Sequence, residues 1–182
     1  MADYMLSKEQ LKKVREDSNC TTILNEARSM RNNGVPSQGI TVFLSHKHDE
    51  VTVLEDVICI LKNLGISIYV DWLDEGMPKE TCGDTARRIK EKIKENKKFI
   101  LLATEGAIAS KWCNWELGYG DAQKYLDNIA IMPITQKRRD IYSGSEYLQI
   151  YPVIKSDYEY ILSGCYVEYE GNRISLVEWL KR

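Results

Sequence analysis

Four short apolar runs recur along this chain: GITVFLS (39–45), ISIYVD (66–71), FILLAT (99–104) and IAIMPI (129–134). They are rich in β-branched residues and too short for helices, so each reads as a strand buried on both faces. Helix-forming segments separate them. After the first run, Leu54, Val57, Ile58, Leu61 and Leu64 make an apolar stripe. Asp49 stands where an N-cap belongs and Gly65 where a C-terminal glycine belongs. TARRIKEKIKENKK (85–98) turns Ala86, Ile89 and Ile93 inward under a charged outer face, and a third helix is expected from about Ser110 to Leu126. Strand and helix in strict alternation predict an α/β fold, a parallel sheet with helices on both faces. Pro133 is expected to close the fourth strand.

The flanks carry weaker signals. Residues 1–37 read as an N-terminal helical extension, with SKEQLKKVRED and TTILNEARSMRNN as its two helices and Thr22 with Glu26 as a start signal. Residues 137–182 form a C-terminal extension. There CYVEYEGNRISL predicts a hairpin turning at Glu-Gly-Asn, and VEWLKR a short terminal helix.

Composition excludes several classes. A formal charge of −2 over 182 residues offers no global basic field for nucleic acid or acidic lipid. No apolar run approaches the roughly 18 residues that span a bilayer, and the polar start MADYMLSKEQ is not a secretory leader. The five cysteines, Cys20, Cys59, Cys82, Cys113 and Cys165, are scattered without CxxC spacing, which suits a reduced, cytoplasmic chain and no structural zinc. His46 and His48 in SHKHD lack a third ligand at fitting spacing, so no metal is expected.

In this architecture ligands sit beyond the carboxyl ends of the strands. Those ends are Ser45–Asp49, Asp71–Pro78, Thr104–Trp112 and the segment after Ile134. The third leads into ASKWCNWELGYG (109–120), where Trp112 and Glu116 are four apart and share a helical face. By itself the stretch favours an ordinary helix start, with core aromatics and a dipole-complementing glutamate. Set beside the other strand ends, it reads as a site wall. A carboxylate beside an indole is partly desolvated, and the indole offers a flat surface to a ring or a cation. That pair suits the nicotinamide-ribose of NAD, whose glycosidic bond breaks through an oxocarbenium-like state that a carboxylate stabilises. GYG (118–120) lies inside a helix, not after a strand, and is no phosphate loop.

Several boxes together resemble the Toll/interleukin-1 receptor (TIR) domain family. TVFLSHKHDE resembles its first box in the bacterial form, LGISIYVDWLDEGMP its second strand and BB loop, FILLATEGAIASKWCNWEL its strand and Ser-x-Trp-Cys-x-x-Glu-Leu segment, and AIMPI its next strand. The resemblance covers roughly residues 38–136 and implies a flavodoxin-like TIR fold. Animal adaptor TIR domains only associate, whereas many plant, bacterial and axonal ones cleave NAD. The Trp-x-x-x-Glu context shared by the enzymes falls on Trp112 and Glu116, so the resemblance makes Glu116 catalytic. It places Phe43, Leu44, Ser45 and His46 along the nicotinamide-ribose side, with Asp71 and Trp72 at the mouth. His-Lys-His (46–48) departs from the basic or small polar run of many active relatives.

The chain resembles in architecture the signal-making TIR subunit of Thoeris antiphage defence. The resemblance implies an enzyme releasing nicotinamide and making ADP-ribose or a cyclic isomer. It also implies self-association through the BB loop and a separate effector reached through the nucleotide product. The alternative is a non-enzymatic interaction module or a virulence mimic of host TIR domains.

Overall fold

The computed structural model describes residues 5–17, 40–69, 83–137, 144–157 and 164–182. Its strands are β1 (Leu6–Ser7), β2 (Thr41–Ser45), β3 (Ser67–Tyr69), β4 (Lys98–Ala103), β5 (Ile129–Thr135), β6 (Val153–Ser156), β7 (Cys165–Tyr169) and β8 (Asn172–Ser175). The α-helices are α1 (Lys8–Asp17), α2 (Val51–Asn63), α3 (Gly83–Glu95), α4 (Glu105–Ala109), α5 (Lys111–Gln123) and α6 (Leu176–Lys181). The helix expected over TTILNEARSMRNN, together with Asp71, Trp72 and the 71–78 loop, lies outside the described residues.

One sheet runs in the order β3-β2-β4-β5-β6-β7-β8, with β1 paired to β5. Pairings from β3 through β6 are parallel, as is that of β1 with β5. The α/β expectation therefore holds, with one extension. β7 and β8 continue the sheet antiparallel, so it is mixed. Their hairpin turns at Glu170 and Gly171, both at positive φ (48° and 79°), a geometry that glycine tolerates without cost. The terminal helix also forms, capped by Ser175 through the Glu178 N–H.

Strand periodicity splits the core in two. Val42, Leu44, Ile100, Leu102, Ala130 and Met132 point to the face covered by α1, α2 and α6. Phe43, Phe99, Leu101, Ile129 and Ile131 point to the other, with Ile89 and Ile93 of α3, Ala107 of α4, and Cys113 and Leu117 of α5. Each strand residue thus belongs to one side only.

Three local expectations are corrected. Asp49 does not cap α2: the N-cap is Glu50, and Asp49 pairs with Lys47 at 2.9 Å. Pro133 does not end its strand: β5 runs on to Thr135, with Pro133 opposite Ala103. The cysteines are not all reduced, because Cys59 is disulfide-bonded while Cys113 and Cys165 are free. Gly65, at φ 74°, ends α2 as expected.

β1 is the least foreseeable element. Leu6 and Ser7 pair with Ile134 and Thr135, adding the amino-terminal segment to the carboxyl end of β5. Arg15 of α1 then reaches Glu55 and the buried Asp56 of α2, each at 2.8 Å. Desolvation pushes the Asp56 carboxyl up, and Arg15 opposes that shift.

A candidate active site at the carboxyl ends of the strands

Ser45 is the last residue of β2, on the same side of the sheet as Phe43 and therefore facing α5. α5 starts where it does because Ser110 caps it, its hydroxyl accepting the Cys113 N–H at 3.3 Å. That start places Cys113, Glu116, Leu117 and Gly120 on the buried side of the helix. Four residues on from Glu116, Gly120 lets the helix lie close to β4, since a Cβ there would stand 3.2 Å from the Phe99 ring. This is the structural reason for the second glycine in GYG.

The outcome is a buried contact between two residues 71 apart in sequence: the Ser45 hydroxyl donates to Glu116 Oε2 at 2.5 Å. Glu116 is only 5% exposed and Ser45 1%. A carboxylate withdrawn from water loses solvation, and a hydroxyl donor offsets part of that loss. His46 is also buried, and its Nδ1–H donates to the Leu44 carbonyl at 3.2 Å. The His46 carbonyl in turn accepts the Cys113 thiol, sulfur to oxygen 3.3 Å. Cys113 therefore ties α5 to the loop after β2.

The remaining site residues are placed as follows. Phe43 lies on the α5 side, stacked on Phe99 with centroids 5.5 Å apart. Leu44 turns its side chain into the opposite core, so only its backbone faces the site loop. Trp112 is 37% exposed and meets Trp115 edge-on at 5.2 Å. Trp115 stacks on Tyr119, and Lys90 of α3 lies over both rings. Trp112, Trp115 and Tyr119 thus form an aromatic ladder along α5, propped by a lysine of α3. Asp71 and Trp72 fall outside the described residues.

Two groups escaped the sequence reading. Thr104 caps the short helix α4, its hydroxyl accepting the Ala107 N–H at 3.0 Å. Glu50 accepts the Thr104 hydroxyl across 54 residues of sequence. A Thr directly after a strand was the available signal for the first; nothing local signals the second.

Among the described residues no group of three or more His, Cys, Asp or Glu side chains could hold a metal ion, and no helix is long and apolar enough to cross a membrane.

A mixed, mostly parallel sheet with helices on both faces and a buried hydroxyl–carboxylate pair at its carboxyl edge defines an α/β domain, a class in which ligands bind at the strand ends. The TIR domain family matches residues 42–159, well over half of the chain, and the chain belongs to that family. It is 31% identical over 116 residues to the probable 3' cyclic ADP-D-ribose synthase ThsB' of Bacillus cereus (strain MSX-D12), an alignment covering 62% of this chain and 59% of that protein. It is 26% identical over 102 residues to the putative cyclic ADP-D-ribose synthase TIR2 of Cytobacillus dafuensis, covering 54% of this chain and 27% of that protein. The chain therefore spans less than two thirds of the length of either curated relative.

Proposed function

We propose that this chain consumes NAD, releasing nicotinamide and producing ADP-ribose or a cyclic ADP-ribose isomer. The observation that carries the reading is the buried Ser45–Glu116 pair at the carboxyl edge of the sheet. The names of the two synthases support it.

In this reading the bond from the ribose anomeric carbon to the nicotinamide nitrogen breaks, and its electron pair leaves with nicotinamide. The pyridinium is thereby neutralised, so no acid is needed. Positive charge builds on the ribose, and the Glu116 carboxylate stabilises it. Ser45 holds one carboxylate oxygen in place. Water captures the cation with loss of a proton to give ADP-ribose. A nucleophile of the same molecule captures it to give a cyclic isomer. Phe43, Ser45, His46 and the Leu44 backbone line the ribose side, and Trp112 with Asp71 and Trp72 the mouth. Residues 38–136 form the catalytic core, between an N-terminal extension of residues 1–37 and a C-terminal one of residues 137–182. The product acts as a second messenger of antiphage defence on a separate effector, self-association through the 71–78 loop completes the site, and the protein works in the cytoplasm.

The test is incubation of wild type and Glu116→Ala with NAD at high protein concentration, read by chromatography, with mass spectrometry of the product. Nicotinamide release by wild type alone is expected. Equal persistence of NAD with both proteins sinks the enzymatic reading and leaves an interaction module.

A further inference from the structure

We infer that Glu50 is a positioning residue that locks the loop after β2, and with it Ser45, against the carboxyl ends of the neighbouring strands. This rests on the NAD-cleaving reading of Ser45 and Glu116. Glu50 occupies the N-cap of α2, yet its side chain makes no bond to that helix. It is spent elsewhere. Oε2 accepts the Thr104 hydroxyl, and Oε1 lies 3.6 Å from the Lys8 ammonium. Lys8 follows β1, Glu50 closes the loop after β2, and Thr104 follows β4. One carboxylate thus ties together the exits of three strands.

The surroundings make the loop a gripped element. The Glu50 N–H donates to the Lys47 carbonyl at 3.0 Å, closing a tight turn. α4 presses against that turn through Gly106, where a Cβ would stand 2.7 Å from Lys47 Cδ and 3.5 Å from Glu50 Cδ. At the loop's other end the His46 carbonyl receives the Cys113 thiol from α5. Thr104 passes the constraint on, since its oxygen also caps α4, the helix that leads through Ser110 into α5. Glu50 therefore acts on both partners of the Ser45–Glu116 hydrogen bond: on Ser45 through the loop, and on Glu116 through α4. With only 20% of its side chain exposed, the carboxylate is partly shielded from water, which strengthens the clasp.

A helix-terminal charge would contribute to stability alone. A positioning role also reaches turnover and the accessibility of Cys113. The experiment compares full-length wild type, Glu50→Ala, Glu50→Gln and Thr104→Val. It measures kcat and KM for NAD, and iodoacetamide labelling of Cys113 and Cys165 under native conditions, resolved by peptide mass spectrometry. For Glu50→Ala, kcat is expected to fall about tenfold with KM changed less than about twofold, the pattern of lost geometry rather than lost binding. Cys113 labelling should quicken about tenfold while Cys165 stays protected. Glu50→Gln keeps an acceptor for the Thr104 hydroxyl and should recover most of both readouts. Thr104→Val keeps the shape but removes both the donor to Glu50 and the cap of α4, so its losses should equal or exceed those of Glu50→Ala, and Glu50→Gln decides the inference if the alanine protein does not fold. Unchanged kcat and unchanged Cys113 protection overturn the inference, even with a lowered Tm. If wild type consumes no NAD, the functional reading fails and Cys113 labelling alone decides whether the clasp exists.

Discussion

Two charged side chains are buried at opposite ends of the central strands, and their surroundings differ in kind. Glu116 sits at the carboxyl end, on a serine hydroxyl, beside a loop tied down from several directions. Lys98 opens β4 at the amino end, 1% exposed. Its ammonium donates to the Asp127 carbonyl at 3.1 Å and to Asn128 Oδ1 at 2.8 Å, and lies 4.5 Å from the centre of the Trp179 ring. Burial pushes its pKa down from 10.5 to about 8. Lys98 therefore ties β4 to the turn before β5 and to the terminal helix α6. A buried charge alone does not mark a site; ligands in such sheets bind at the carboxyl ends, which makes Glu116 and not Lys98 the candidate.

The largest expected effect tests the functional half of that contrast. Glu116→Gln keeps an acceptor for Ser45 but removes the charge. NAD consumption should fall by about 1000-fold or more, while Tm holds or rises, because a buried charge has been removed. Nicotinamide release and a thermal melt on the same sample check both parts. A large drop in Tm with activity retained would assign Glu116 to structure and remove the contrast.

Truncating Lys98 should do the reverse. Lys98→Ala leaves a void and strands two acceptors, at a cost of about 3 kcal/mol. Turnover per folded molecule should stay at the wild-type level. Denaturant unfolding beside NAD kinetics measures the pair, and loss of kcat in folded protein would mean that the two ends are coupled.

Gly120→Ala gives a smaller effect that joins the two themes. Alanine favours a helix by up to about 1 kcal/mol. Here its Cβ meets Phe99, which is fully buried and stacked on Phe43 and so cannot retreat. The net expectation is a loss of about 1 kcal/mol, with a severalfold fall in turnover as α5 and Glu116 shift outward. A stabilised, fully active variant would show that the ring has room.

Much of this architecture is legible in the chain because the apolar runs are continuous and the intervening stripes have helical period. The hairpin at Glu170-Gly171 is legible from its turn residues, whereas Glu116 and Ser45 are named as candidates by the resemblance and the hydrogen bond between them is a tertiary contact. β1 is not: two residues, Leu6 and Ser7, carry no periodicity, and their pairing with β5 is a tertiary event. The five-residue α4 is equally brief. Pro133 misleads because a proline commonly ends a strand, while here β5 continues past it. The Leu44 side chain could have been placed by alternation alone, since neighbours on a strand face opposite ways. Glu50 and Thr104 meet only because β2 and β4 are adjacent, which no local pattern encodes.

The smallest effect is a pH dependence that isolates Lys98. Its folded pKa, about 8, lies below the unfolded value of 10.5, so between them the unfolded chain binds more protons and stability rises with pH. Cys165 acts in the opposite sense. Burial raises its thiol from 9.0 to about 12, so its contribution is full below pH 9 and declines above it. The clean window is therefore pH 8 to 9, and the useful quantity is wild type minus Lys98→Met, in which the cysteine cancels. Lys98→Met keeps the volume, removing both the charge penalty and the hydrogen bonds. Over that window wild type should gain about 1 kcal/mol on the variant. Denaturant melts at the two pH values measure it. Parallel curves would mean that the Asp127 and Asn128 oxygens solvate the ammonium as well as water does.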